Sequence, residues 1–312
     1  MRSTLLCQLL KQLKGACFYL SLGLLLLPAY GQSSLNGVID FHVHSGPDSV
    51  ARTIDADDLA RLAKERGMRG LVLKNHWEST AALAYIIRKE VPGMEIFGGI
   101  DLNLSVGGIN PEAVKHMIML KGGWGRVVWL STYDSENAVR DAKENRPFVT
   151  ISKDGHLVPE VLQVIDLVAQ HHEIVLETGH ISPEEGLMVV REARQRGVQH
   201  VVVTHAMRAP VRMTIPQMQE ATREGAYIEF VYGALLGTKP DNNIDEYVKA
   251  IREVGPKFCI LGTDLGGVAA GRPLHPDGML MFMEALRMKG LSQADIDLMS
   301  KTNPALALGL QP

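Results

Sequence analysis

Cysteine is scarce in this 312-residue chain, which contains only three, and two of them, Cys7 and Cys17, lie near the N-terminus. A disulfide framework is therefore excluded, and the fold must depend on its hydrophobic core. The sequence also lacks a P-loop and has no G-x-G-x-x-G turn after its first predicted strand, which argues against a nucleotide-binding doubly wound sheet. The net charge is small, −3 at pH 7, and this argues against non-specific nucleic-acid binding.

The first 31 residues have the composition of a secretory signal peptide. A basic start (Arg2, Lys11, Lys14) precedes the apolar run 16–27, which is too short to span a bilayer, and small residues stand before Gln32. We predict cleavage and export to a bacterial periplasm, with an uncleaved membrane anchor as the alternative. Cleavage would remove three of the 32 basic residues and no acidic ones, giving 29 − 35 = −6 for residues 32–312. No nucleic-acid partner and, after cleavage, no membrane contact is expected.

Short apolar runs alternate with amphipathic runs of helical spacing in the rest of the chain. The predicted strands are 38–44, 70–76, 95–103, 126–132, 173–180, 200–205, 227–231 and 258–264. Eight apolar strands with helices between them are typical of a parallel sheet covered on both faces. The predicted fold is α/β, a single-domain (β/α)8 TIM-type barrel over residues 32–312, with an open doubly wound sheet as the alternative.

Two local features interrupt this alternation or mark a helix start. Residues 133–156 are polar and predicted to be irregular, apart from a hairpin at Lys153-Asp154-Gly155. Ser182-Pro183-Glu184-Glu185 combines an N-cap, a first-turn proline and a capping box, and predicts a helix that begins there and ends near Gly197.

Two histidines one residue apart end the first predicted strand. Side chains alternate along a strand, so His42 and His44 share one face, and Ile39, Phe41 and Val43 are expected on the other. Such a pair beside a turn can supply half of a metal site.

Most later strands also end in a residue that can bind metal. These residues are Lys74 and His76 on strand two, His180 on strand five, His205 on strand six and Asp264 on strand eight. A single histidine at a strand end is more often a structural residue, but the ends of all barrel strands meet at one mouth. Imidazole and carboxylate ligands suit a divalent ion, so we predict one or two ions, with Zn²⁺ expected.

At this point the motifs resemble the amidohydrolase superfamily of metal-dependent hydrolases, over essentially all of residues 32–312. The matching motifs are His42-Val43-His44, Thr178-Gly179-His180, Thr204-His205 and Thr263-Asp264. Segments 98–100, 107–111 and 128–132 resemble an amidohydrolase-like family of unassigned function. By this resemblance the metal ligands would be His42, His44, His180 and Asp264. Asp264 would also take a proton from the attacking water, and His205 would bind a second metal ion or polarise the substrate.

The fourth strand departs from that pattern. Many members bridge two metals there with a carboxylated lysine or a glutamate, whereas this strand offers Trp129, Ser131 and Thr132. Lys74 and Glu177 are the candidates to substitute, and His76 is a further candidate because the end of strand two resembles that of the polymerase-and-histidinol-phosphatase phosphoesterases. Glu177 stands three positions before His180, so a regular strand would turn it to the opposite face, and we predict that it lies behind the metal ligands.

The residues together predict a metal-dependent hydrolase acting on a small amide, ester or lactone. Arg208, just beyond His205, is a candidate for binding an anionic group of the substrate, while Arg212 and Arg272 lie on the same loop and on the loop after strand eight. Solvated surface arginines are the alternative for all three. Three alternative functions remain open: a phosphoesterase, a mononuclear-metal decarboxylase and a non-catalytic periplasmic binding protein. A homo-oligomeric state also remains open.

Overall fold

The structure, a computed structural model, describes residues 34–312, so the predicted signal peptide lies outside the described residues. Eight parallel strands pair in chain order around a barrel. They are β1 (Ile39–His44), β2 (Gly70–Lys74), β3 (Glu95–Asp101), β4 (Gly125–Trp129), β7 (Val175–Glu177), β8 (His200–Val203), β9 (Tyr227–Val231) and β10 (Cys259–Gly262). The predicted (β/α)8 barrel is confirmed.

The first and last strands approach each other and nearly close the barrel. The Asp264 amide donates to the His42 carbonyl at 2.9 Å, and the His44 amide donates to the Leu265 carbonyl at 3.1 Å. The backbone of the segment after β10 is therefore held against the end of β1, which brings His42, His44 and Asp264 to one place.

Helices surround the barrel and follow the strands. They are α1 (Ala56–Glu65), α2 (Ala81–Glu90), α3 (Pro111–Ile118), α4 (Glu136–Asp141), α5 (Pro159–Ala169), α6 (Pro183–Gln195), α7 (Ile215–Arg223), α8 (Ile244–Val254), α9 (His275–Met288), α10 (Gln293–Asp297) and α11 (Asn303–Ala307). The predicted capping box is present: the Ser182 hydroxyl accepts from the Glu185 amide, and the Glu185 carboxylate accepts from the Ser182 amide. Within residues 34–312, no helix is long and apolar enough to cross a bilayer.

The stretch predicted to be irregular contains more structure than expected. The predicted hairpin is confirmed as β5 (Ser152–Lys153) paired antiparallel with β6 (His156–Leu157). The same stretch also contains the six-residue helix α4, whose first turn is capped by the Ser135 hydroxyl. A helix this short has fewer than two turns, so it shows no apolar periodicity in the sequence.

The core has two layers, one inside the barrel and one between the strands and the helices. Ile39 and Phe41 pack inside with Trp129, whereas Val43 belongs to the layer under the helices. The prediction that these three share one face is wrong, because the pairing of β1 with β2 shifts register between Asp40 and Val43. A shift of this kind breaks the alternation of side chains, and β1 can bury Phe41 inside while still aiming its histidines at the mouth.

Candidate metal centre

A cavity of about 290 Å³ opens at the carboxyl ends of the barrel strands. Its lining residues come from several strand ends and loops: His42, His44, Arg52, His76, His180, His205, Arg208, Ala209, Asp241, Asp264, Gly267 and Arg272. All five histidines predicted from the strand ends are among them, together with Asp264 and Arg208. Barrel enzymes keep their chemistry at this end of the fold.

Three of these side chains can share one metal ion. Nε2 of His42 lies 3.4 Å and Nε2 of His44 lies 3.3 Å from Oδ1 of Asp264. The three ligand atoms lie within 4.8 Å of one another, and all three residues are buried. Two imidazole nitrogens and one carboxylate oxygen match the three-ligand sets of catalytic zinc sites.

The other ring nitrogen of each of these histidines is already engaged. Nδ1 of His42 lies 3.1 Å from Oε2 of Glu229, and Nδ1 of His44 lies 3.1 Å from the Lys74 carbonyl oxygen. An acceptor at Nδ1 fixes the tautomer that leaves Nε2 unprotonated and free for a metal. The residues present therefore fit a divalent ion at this position.

The remaining histidines complete a closed ring around the cavity floor. Adjacent ring centroids are separated by 5.3 Å (His42–His44), 4.9 Å (His44–His76), 5.9 Å (His76–His180), 4.7 Å (His180–His205) and 5.8 Å (His205–His42). Nε2 of His180 lies 3.0 Å from Nε2 of His205. Two imidazole nitrogens that face each other can share a proton or bind one ion, so this pair is a candidate for part of a second metal position.

Burial determines the charge of these histidines. It lowers the pKa of His42 to about 3 and holds the pKa values of His44, His180 and His205 well below the usual range. The imidazoles are therefore neutral at physiological pH, which is the form that binds metal.

Asp264 is ionised despite being buried. Burial by itself raises the pKa of a carboxyl group, but the neighbouring Arg208 guanidinium lowers it, and the pKa of Asp264 stands well below its usual range. Arg208 forms an ion pair with Oδ2 of Asp264, and its Nε lies 3.3 Å from the Asp241 carboxylate. The residue predicted to bind substrate thus lies in the cavity, with its guanidinium directed at Asp264 and Asp241.

Two of the predicted site residues adopt unusual backbone conformations. His205 has φ +26° and Asp264 has φ +50°, a region that L-residues with side chains rarely occupy. Backbone strain of this kind concentrates at functional sites. The neighbouring Thr263 is held by Asp40, which accepts from its amide at 2.8 Å and from its hydroxyl at 2.6 Å.

Lys74, Asp101 and His76 form a buried polar group beside the histidine ring. Nζ of Lys74 lies 3.3 Å from Oδ2 of Asp101 and 5.3 Å from the centre of the Trp129 ring. Nδ1 of His76 lies 3.1 Å from the same carboxylate oxygen and 2.8 Å from the Thr132 hydroxyl. Lys74 and His76 therefore share one carboxylate oxygen of Asp101, and the other ring nitrogen of His76 points away from Asp101.

Glu177 lies deep in the barrel below the cavity. Strand β7 ends at Glu177, and Gly179 takes φ +66°. The side chains therefore do not alternate regularly from Glu177 to His180, and the prediction that these two side chains lie on opposite faces does not apply. Oε2 of Glu177 accepts from the Thr204 hydroxyl at 2.8 Å. Burial, with a contribution from Glu229, raises its pKa well above the usual range.

Several residues around the site were not predicted from the sequence. They are the buried carboxylates Asp40, Asp101 and Glu229, and the cavity residues Arg52 and Asp241. Glu229 and Asp40 had a detectable signal, because each is a single acidic residue inside an apolar strand. Asp101 ends β3 as Asp264 follows β10, so the strand-end pattern could have included it. Arg52 and Asp241 lie on loops and carry no such signal.

Residues 37–229, more than half of the chain, match the model of a "Family of unknown function (DUF6282)". The chain belongs to this family. No curated protein matches the chain.

Solved structures share the fold of this DUF6282 protein at low sequence identity. Organophosphorus hydrolase from Deinococcus radiodurans is 14% identical with a TM-score of 0.61, covering 88% of this chain and 92% of that one. A structure described as "Molecular Engineering of Organophosphate Hydrolysis Activity from a Weak Promiscuous Lactonase Template" is 15% identical with a TM-score of 0.60, covering 89% and 98%. At this identity the likeness concerns the fold.

Proposed function

We propose that this protein is a metal-dependent hydrolase of the amidohydrolase type, exported after removal of residues 1–31. The observation that carries the proposal is the convergence of Nε2 of His42, Nε2 of His44 and Oδ1 of Asp264 within 4.8 Å, from opposite ends of the chain. The shared fold with proteins named as organophosphorus hydrolase and as a lactonase template supports it.

Two groups of side chains at the cavity would have different roles. His42, His44 and Asp264 would hold a divalent ion, Zn²⁺ by preference, and the His180–His205 pair would hold a second ion or face the substrate. When bound, such an ion lowers the pKa of water from about 15.7 to about 7.

Proton transfer is assigned to Asp264. It is ionised at neutral pH, so it can accept a proton from the attacking water and pass it to the leaving group. Arg208 holds Oδ2 of this carboxylate and so orients it. Neutral His205, at the same cavity, can donate a hydrogen bond to the oxygen on which negative charge develops.

The proposal is tested by metal analysis of purified protein together with activity on a panel of substrates. We expect at least one zinc-like ion per chain in the wild type, most of it lost in His42→Ala. In Asp264→Asn the metal should be largely retained and the activity lost. The exposed His116, whose side chain is 72% accessible, provides the control variant His116→Ala, which should match the wild type in both readouts.

The panel should contain a lactone, a carboxylic ester, an amide, a phosphotriester and a phosphomonoester. Turnover of one of these with the predicted variant pattern supports the hydrolase. Equal metal content and activity in the wild type, His42→Ala and Asp264→Asn would refute the assignment of the site, and bound metal without turnover on any substrate would favour a binding protein.

A further inference from the structure

Two cavity arginines lie on loops that are tied to each other by their backbones. Arg52 belongs to the loop between β1 and α1, and Arg272 belongs to the loop between β10 and α9. The Thr53 amide donates to the Gly266 carbonyl at 3.1 Å, and Arg52 pairs with Gly267 in an isolated antiparallel bridge. The two loops therefore form one continuous rim above His44 and Asp264.

The three arginines of the cavity differ in how their guanidinium groups are engaged. Arg208 is directed at Asp264 and Asp241. Nε of Arg52 lies 2.7 Å and Nη2 lies 2.6 Å from Oδ2 of Asp48, whose side chain is fully buried. Arg272 forms no ion pair with any residue between 34 and 312, so its guanidinium is available to a ligand.

The charged side chains that line the cavity leave one guanidinium unpaired. Asp264 and Asp241 offset the charge of Arg208, and the buried Asp48 offsets that of Arg52, so among residues 34–312 Arg272 is the cavity arginine with no carboxylate beside it. A bound divalent ion would add two further positive charges. A guanidinium without a carboxylate partner at the rim of a cavity favours a ligand that carries a negative charge.

We propose that Arg272, supported by the Asp48-anchored Arg52, forms an oxyanion-binding subsite on this rim, and that the substrate carries a carboxylate or phosphate group remote from the bond that is hydrolysed. This inference rests on the proposed function, because the reacting group would face the histidines while the anion faces the rim. The planar guanidinium fork matches both oxyanions in geometry. The cavity of about 290 Å³ lies at the small end of ligand sites, so the substrate is a small molecule.

The test is calorimetric titration of the zinc-loaded full chain with three probes: glutarate, its uncharged isostere glutaramide, and inorganic phosphate. Wild type, Arg272→Gln and Arg212→Gln are compared. Arg212 is the matched control, because it lies on a mouth loop, pairs with Asp141 and does not line this cavity. Metal content is measured for every sample.

We expect glutarate or phosphate to bind the wild type, with glutaramide at least roughly tenfold weaker than glutarate. Arg272→Gln should weaken binding of the anion about tenfold, the loss typical of one charge-assisted hydrogen bond, and Arg212→Gln should not. If phosphate binds and glutarate does not, and if phosphate binding is weakened in Arg272→Gln, the subsite is also supported. The anionic group of the substrate is then a phosphate.

The inference and the proposed function fail in different ways. If Arg272→Gln holds its metal and binds both anions as the wild type does, the subsite is wrong and the hydrolase stands. If the wild type holds no metal, the proposed function is what fails, and the difference between wild type and Arg272→Gln toward the anions still decides the subsite.

Discussion

Glu229 is a single carboxylate that supports two of the candidate ligands at once. Its oxygens lie 3.1 and 3.2 Å from Nδ1 of His42, and Oε2 accepts from the His205 amide at 2.9 Å. Glu229 does not line the cavity, so its role is to position the imidazole of His42 and the strained backbone of His205.

Replacing Glu229 by glutamine should therefore weaken metal binding. Loss of the carboxylate removes the acceptor that orients the imidazole of His42, and changes of this kind cost roughly 10- to 100-fold in metal affinity. Competition with a chelator of known affinity measures this directly. Glu177→Gln is the matched control, since Glu177 is equally buried on β7, which β8 separates from β9, but bonds to Thr204; equal affinities of the two variants would contradict the positioning role.

The strand ends and the turns that follow them are the elements that build the site. Gly266 follows the Thr263-Asp264 motif and has φ +112°, and a Cβ there would collide with the His44 carbonyl oxygen. Only glycine allows the loop after β10 to pass this close to the end of β1. That approach sets the distance between Asp264 and the two histidines.

Gly266→Ala should accordingly displace this loop and lower the metal affinity by about tenfold or more, in addition to destabilising the fold through backbone strain. The adjacent Gly267→Ala is its control, because a Cβ at Gly267 would have no heavy atom within 4 Å. Metal titration combined with chemical unfolding separates the two effects. Indistinguishable behaviour of the two variants would show that the close approach is unimportant.

The whole barrel carries an unusual number of buried neutral histidines, and this makes its stability depend on pH. His275, at the start of α9, is fully buried, and burial lowers its pKa to about 4. The unfolded chain, with a histidine pKa near 6.5, takes up the proton first as the pH falls. The stabilisation is therefore complete above about pH 6.5 and is lost between about pH 6.5 and pH 4.

Comparing wild type with His275→Gln isolates this contribution, since the other histidines are common to both. The difference between their free energies of unfolding should shrink by about 2 kcal/mol from pH 7 to pH 5. Urea unfolding in the presence of a chelator at each pH measures it. A difference for His275→Gln that is the same at pH 7 and pH 5 would contradict the assignment.

Much of the architecture was predictable because it depends on local patterns. Apolar runs at regular spacing predicted the eight barrel strands, and capping residues such as Ser182 predicted where helices begin. Local chemistry also determined which strand ends carry potential ligands, because His42, His44 and Asp264 stand at fixed offsets from apolar runs. Export through residues 1–31 stays a prediction.

Only the tertiary structure decided how those residues meet. The register shift in β1 breaks the alternation of side chains, so alternation predicted the wrong face for Ile39 and Phe41 relative to Val43. The early end of β7 has the same effect, so alternation could not determine the position of Glu177. Glu229 acts on His42 across 187 positions, and Arg208 reaches Asp264 across 56. Contacts between distant segments depend on barrel closure and loop path, which leave no periodic signal in the chain.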